Sequence, residues 1–197
     1  MSSLLCDGIL SGDILADCEN PMVGGLEVNV LLVNHSDIDK TACTFSPTNK
    51  TVLTNFQLKS GKTGYLLEGV KQINSLSTEL VPKETSQDKM KHMFSGMILN
   101  YSADNKAKLY DMIGGLFAVV VELKWKGVAG ADAFQIGGFD SGMRLSAVTW
   151  STKENDGNIS FELSSVEGYE ETKQTLSIFE TSYALTAVAF GNKFVQV

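Results

Sequence analysis

Leu116-Phe117-Ala118-Val119-Val120-Val121-Glu122-Leu123 decides the fold. It is apolar at odd and even positions alike until Glu122, so an extended chain here needs cover on both faces. The segment reads as a central strand with a layer on either side. Strands punctuated by glycine follow. Ala133-Phe134-Gln135-Ile136-Gly137-Gly138-Phe139-Asp140-Ser141-Gly142 strands and then turns, Met143 to Trp150 strands again, and Asp156-Gly157 leads into another strand. There Ile159, Phe161 and Leu163 alternate with Ser160, Glu162 and Ser164, the period of a half-buried strand.

Working outward, Leu26 to Val33 reads as a strand with Leu26, Val28, Val30 and Leu32 on one face. His35 to Asn49 is a polar loop long enough to imply a task or a partner. Thr51–Lys59 and Thr63–Val70 around Ser60-Gly61-Lys62 suggest a hairpin. Gln72–Val81 suggests an edge strand ended by Pro82, and Lys91–Asn100 a further strand. The period then changes: Ser102 can cap a helix over Ala103–Ile113, which Gly114-Gly115 stops. Leu176–Phe179 and Tyr183–Phe190 read as late strands. The expected fold is mainly β, a β-sandwich with one flanking α-helix at about 103–113. Residues 1–25 form an N-terminal arm, 26–190 a single sandwich domain and 191–197 a C-terminal tail.

The chain of 197 residues suits one domain with a sizeable core. Glycine is abundant at 18 and proline scarce at 3, which fits tight turns and argues against disorder. No apolar run has the length of a membrane helix, and the start lacks the basic n-region of a signal peptide. Cys6, Cys18 and Cys43 are odd in number and without metal-ligand spacing, so they read as reduced thiols. Net charge is −7. Residues 1–39 hold Asp7, Asp13, Asp17, Glu19, Glu27, Asp37 and Asp39 with no lysine or arginine, so the whole excess lies in the first fifth of the chain. A single arginine, Arg144, argues against a phosphate-gripping surface.

Catalytic patterns are missing from the sequence. There is no phosphate-cradling glycine loop leading into a helix and no nucleophile elbow. His35 reads as a surface histidine and His92, among Met93, Phe94 and Met97, as a core one. Glu167, Glu170 and Glu171 could supply paired carboxylates, but in a polar linker they read as solvated. Glu154-Asn155-Asp156-Gly157-Asn158 is a turn without the calcium-loop pattern. Trp125 and Trp150, at strand ends, could stack on sugar or sit at an edge or interface. These readings assign no catalytic residue, cofactor or metal, and the chain is expected not to be an enzyme.

Ala133-Phe134-Gln135-Ile136-Gly137-Gly138-Phe139-Asp140-Ser141-Gly142-Met143-Arg144-Leu145, Asp156-Gly157 and Ser165-Val166-Glu167-Gly168-Tyr169-Glu170-Glu171 resemble structural proteins encoded in phages and prophages of Bacteroides-type bacteria. The opening, Met1-Ser2-Ser3-Leu4-Leu5-Cys6-Asp7-Gly8, is similar to the start of such proteins. The resemblance spans residues 1–40 and 112–185 and leaves 40–100 outside it. Among virion roles it fits the tail tube, or major tail, family best. That family implies a β-sandwich with a flanking helix and extended arms, six copies per ring, and rings stacked into a tube through which double-stranded DNA passes without specific binding. It implies partners in other copies of the chain and in other tail proteins, and a place in the virion after synthesis in the bacterial cytoplasm. It carries no catalytic residues. Glu27, Asp37 and Asp39 become candidates for an acidic lumen, and Cys6, Asp7, Asp13, Asp17 and Phe194 for inter-subunit arms. Alternatives are a tail-completion, connector or capsid-decoration protein, or a carbohydrate-binding sandwich using Trp125 or Trp150.

Overall fold

The computed structural model describes residues 13–14, 18–69, 73–84 and 86–194. Along the chain these form β1 (Leu26–Asn34), β2 (Thr44–Phe45), β3 (Val52–Asn55), β4 (Tyr65–Glu68), β5 (Ser75–Val81) and β6 (Lys89–Ile98). Helix α1 (Ala103–Met112) follows, then β7 (Phe117–Leu123), β8 (Phe134–Gly137), β9 (Met143–Trp150), β10 (Ile159–Ser165), β11 (Leu176–Ile178) and α2 (Tyr183–Gly191). The protein is mainly β, as expected.

Strand β7 is the centre of this arrangement. On one edge it pairs with β1, whose other edge carries β4. On its other edge it pairs with β8, and the sheet runs on through β11, β3 and β2, with β3 and β11 parallel. Gly137 ends β8 opposite Val119, while Met143 begins β9 opposite Phe117. Residues 138–142 are therefore looped out between neighbouring pairing sites on β7. Past that loop the chain belongs to a second layer, β9-β10-β6-β5.

The double covering read from Leu116–Leu123 is what the structure has. Ala118 and Val120 join a core with Leu31, Phe56, Phe134 and Ile136, roofed by Phe190 of α2. Phe117, Val119 and Val121 face the opposite way into a second core with Phe94, Phe161, Leu163 and, from α1, Leu109. All five of these β7 residues are buried. At about 1.5–3 kcal/mol for each fully buried large apolar side chain, this strand anchors both cores. Ser102 caps α1 through its Oγ, which accepts from Asn105 N at 3.2 Å. The helix ends at Met112, followed by Gly114 at φ +82°.

Three expectations need correction. Tyr183–Phe190 is helical, not a strand, so two helices flank the sheets; Ser182 Oγ caps α2 by accepting from Leu185 N at 3.3 Å. The segments around Ser60-Gly61-Lys62 do not pair with each other, because β3 pairs with β2 and β11 while β4 pairs with β1. Strand β1 alternates imperfectly: a register irregularity between Leu26 and Val30 leaves Val28 exposed, and Val30 and Leu31 are both buried on opposite faces.

Candidate functional site

The most heavily built polar site surrounds residues 138–142, the loop that carries the chain from one layer to the other. Gly138 takes φ +73° there, and an added Cβ would lie 2.8 Å from the Phe117 carbonyl, so the turn accepts glycine alone. Gly138 N donates to His92 Nδ1 at 3.0 Å. Asp140 N and Ser141 N each donate to the Glu171 carboxylate at 2.8 Å, and Gly142 N does so at 3.3 Å. His35 Nε2 donates to the carbonyls of Phe139 and Asp140, both at 3.1 Å. Lys40 Nζ adds a 2.6 Å bond to the Asp140 carbonyl.

Three segments remote in sequence supply these groups. His92 comes from β6; Glu171 is fixed by antiparallel bridging of its own backbone to Met90. His35 opens the 3-10 turn His35–Asp37 after β1, and Lys40 follows it. His92 is a core histidine, as expected. Its Nε2 donates to the Lys173 carbonyl at 3.0 Å while Nδ1 accepts, which fixes one neutral tautomer. Burial lowers its pKa, and burial together with the nearby Lys40 lowers that of His35. Burial pushes the Glu171 carboxyl above its ordinary value, with the backbone N–H donors pulling the other way.

Two sequence readings change here. His35 is half-buried with Nε2 committed to two carbonyls, not a surface histidine. Glu171 is 2% exposed and Glu170 is also buried, so neither is a solvated linker residue. Glu170 Oε1 accepts from Lys83 Nζ at 3.0 Å and from Gly168 N at 3.1 Å. The Gly168 N–H first, then its own backbone N–H and Lys83, hold its carboxyl below the ordinary range. Beside it lies a cleft of about 700 Å³ in which Arg144, Lys83 and Lys91 are matched by Glu79, Glu167 and Glu170. Balanced charge of this kind gives no net field for a phosphate.

Chemically, the loop site is closed. Both Glu171 oxygens accept backbone N–H groups, and both His92 nitrogens are engaged. Neither side chain has a lone pair turned to a substrate. Among the described residues no group of His, Cys, Asp and Glu side chains could hold a metal ion. Free thiols among those residues are Cys18, exposed, and Cys43, buried. Trp150 lies flat against Tyr101, centroids 4.0 Å apart at 8°, and Trp125 Nε1 donates to the Asn20 carbonyl at 3.2 Å.

No known protein decides the matter. No family model matches the chain, nor does any curated protein or solved structure. Function has to be argued from the surfaces.

The acidic residues singled out from sequence are placed apart. Glu27 is half-buried on β1 and pairs with Lys126 Nζ at 3.2 Å, which also meets Glu122 at 2.6 Å. Asp37 accepts from Asn34 Nδ2 at 3.0 Å and pairs with Lys62 at 3.5 Å. Asp39 is half-buried, its carboxylate closing a turn by accepting from Thr41 Oγ1 at 2.6 Å and from the N–H groups of Thr41 and Ala42. Those bonds, the Thr41 hydroxyl first, lower its pKa. Seven residues of strand separate Glu27 from Asn34, roughly 20–25 Å, so Glu27 stands far from the other two. Of the arm residues, Asp13 is exposed, while Cys6, Asp7 and Asp17 lie outside the described residues. Phe194 packs on its own subunit: its ring is 5.1 Å from that of Phe190, and its backbone bridges to Gly64.

What remains open is apolar. Helix α2 has no charged side chain, and its outward residues Leu185 and Val188 are 54% and 60% exposed. Its Tyr183 hydroxyl donates to Glu122 at 2.6 Å, and that bond, with burial, raises its pKa to about 12. On the other side of the central sheet a groove of about 910 Å³ opens between β4, α1 and the end of β6. Among the described residues strands β2, β4 and β5 each have a single strand partner.

Proposed function

We propose that this chain is a self-assembling structural protein of a phage virion, a tail tube subunit whose hexameric rings stack around a passage for double-stranded DNA. The observation that carries this reading is the contrast between interior and surface. Every buried ionisable side chain of the loop site is consumed in holding the two layers together, while the described residues leave an uncharged helix face, a largely apolar groove and strand edges uncovered. Exposed apolar surface of this kind marks protein contacts in a soluble chain. The resemblance of residues 112–185 to phage structural proteins points the same way, and the loop site falls within that stretch.

The charge supports passage of DNA without capture. With net charge −7, one arginine, and lysines such as Lys83, Lys62 and Lys126 already paired with carboxylates, the surface offers little for counterion release. Electron microscopy of the purified full-length protein tests the reading through rings or tubes. A connector or completion protein would give one ring that does not stack. The carbohydrate-binding alternative is less well supported, since Tyr101 already covers one face of Trp150; tryptophan fluorescence that responds to oligosaccharides would favour it instead.

A further inference from the structure

Glu170 and Glu171 are neighbours with opposite fates. Antiparallel bridging sets Glu171 opposite Met90, so Glu170 falls opposite Lys91, with its side chain on the other face of the second layer. Glu171 turns towards the crossover loop, where both its oxygens accept backbone N–H groups. Glu170 lines the cleft of about 700 Å³, and only one of its oxygens is occupied. Oε1 accepts from Lys83 Nζ and Gly168 N, while Oε2 is buried and accepts nothing. Alone among the buried side-chain nitrogens and oxygens described, Oε2 lacks a hydrogen-bond partner. A buried acceptor without a donor is a place for a ligand's N–H. Donation from Gly168 N, first of all, keeps the carboxyl below its ordinary range, so it is ionised and favours a cationic donor.

The same cleft carries the chain's one arginine. Arg144 pairs with Ser164 and Ser164 with Met93, and Lys91 lies two residues from Met93. Strand β5 holds the other edge of β6, so Glu170 lies in line with β10, beside Lys91. Arg144, Lys91 and Glu170 therefore share one face. One strand spacing across and two residues along put the Cα atoms of Arg144 and Glu170 roughly 8 Å apart. An extended dipeptide covers about 7 Å. Among the described residues Arg144, Lys91, Glu79 and Glu167 line the cleft without an ion pair. Open charge of both signs favours neither a net anion nor a net cation, but suits a ligand carrying both. The arginine fork matches a carboxylate.

We propose that this cleft binds a small zwitterion, a short peptide or free amino acid, with its ammonium group on Glu170 Oε2 and its carboxylate on Arg144. Lys83 keeps Oε1, so the ligand adds a donor and displaces none. The site lies within one chain and does not rest on the self-assembly reading.

Isothermal titration of the full-length protein with alanine, dialanine, N-acetyl-dialanine and dialanine amide tests it. Dialanine should bind with a dissociation constant of about 1 mM or below. The acetylated peptide lacks the ammonium and the amide lacks the carboxylate; each should bind at least tenfold more weakly. Alanine separates the two sources. Binding weaker than that of dialanine assigns the cleft to peptides, and equal or tighter binding to free amino acids. Arg144→Ala, at an exposed position, should keep the circular-dichroism spectrum and bind dialanine no better than its amide. Glu170→Gln should lose the preference for dialanine over the acetylated form. No binding by any of the four probes at about 10 mM would overturn the proposal and leave Oε2 to solvent. A blocked peptide that binds as well as dialanine would overturn it too, as would dialanine binding unchanged in Arg144→Ala.

Discussion

Removing the Glu171 carboxylate should unfasten the crossover between the two layers. Its oxygens accept three backbone N–H groups, those of Asp140 and Ser141 at 2.8 Å and of Gly142 at 3.3 Å. A hydrogen bond to a charged group contributes about 1.5–3 kcal/mol, and a buried donor left unpaired costs about 1–3 kcal/mol. Gly142 is buried and the other two residues are half-buried, so water can rescue two of the three donors in part. Relief of the carboxylate's own desolvation offsets some of the loss. The expected cost of Glu171→Ala is therefore about 2–5 kcal/mol. Glu171→Gln should cost about 1–3 kcal/mol, because in either orientation its NH₂ group faces a backbone N–H where an oxygen stood. Urea unfolding followed by tryptophan fluorescence is the assay. With a slope of about 2 kcal/mol/M, the alanine variant should shift the midpoint down by about 1–2.5 M. A shift below about 0.3 M for both variants would refute the reasoning, since the loop would then be held by other contacts.

Stability should also fall on mild acidification. His92 has its pKa lowered by burial, so the unfolded chain takes up a proton near pH 6.5 while the folded chain resists it. The His92 contribution is present above pH 6.5 and is lost as pH drops towards the lowered folded value; melting temperatures between pH 7.5 and 5 should fall, and less steeply in His92→Gln. Ser102→Ala removes the α1 cap and should cost about 1 kcal/mol in urea unfolding. Deleting residues 1–25 loses the Trp125–Asn20 and Lys124–Gly25 hydrogen bonds, a cost of about 1–3 kcal/mol. The truncated protein should stay folded by circular dichroism yet assemble less well by mass photometry, and outright unfolding would place the arm in the core.

Strand β7 was legible because its signal is local: an apolar run without alternation has one explanation when the chain around it strands and turns. The α1 cap and glycine stop were legible for the same reason. Helix α2 was not. Tyr183–Phe190 is apolar throughout, with Val188 and Thr186 β-branched, so periodicity does not separate a short helix from a buried strand. The Ser182 cap and the four alanines and leucines that follow it were the available cue. The segments flanking Ser60-Gly61-Lys62 suggested a hairpin because a turn sits between them, but their partners come from β1, β2 and β11, and pairing at such separation leaves no local mark. The loop site was hidden most thoroughly. Glu171 stands in a polar run, and what buries it is a set of N–H groups about thirty residues away. The one hint was excess: two adjacent carboxylates and both histidines of the chain with no catalytic pattern to use them.

The central claim is that this chain assembles into rings that stack. Negative-stain electron microscopy of the full-length protein, with mass photometry on the same preparation, tests it most directly. The account predicts six-fold rings, with short tubes as concentration rises. A single species at the 21.3 kDa monomer mass, with no rings on the grid across that concentration range, would contradict it.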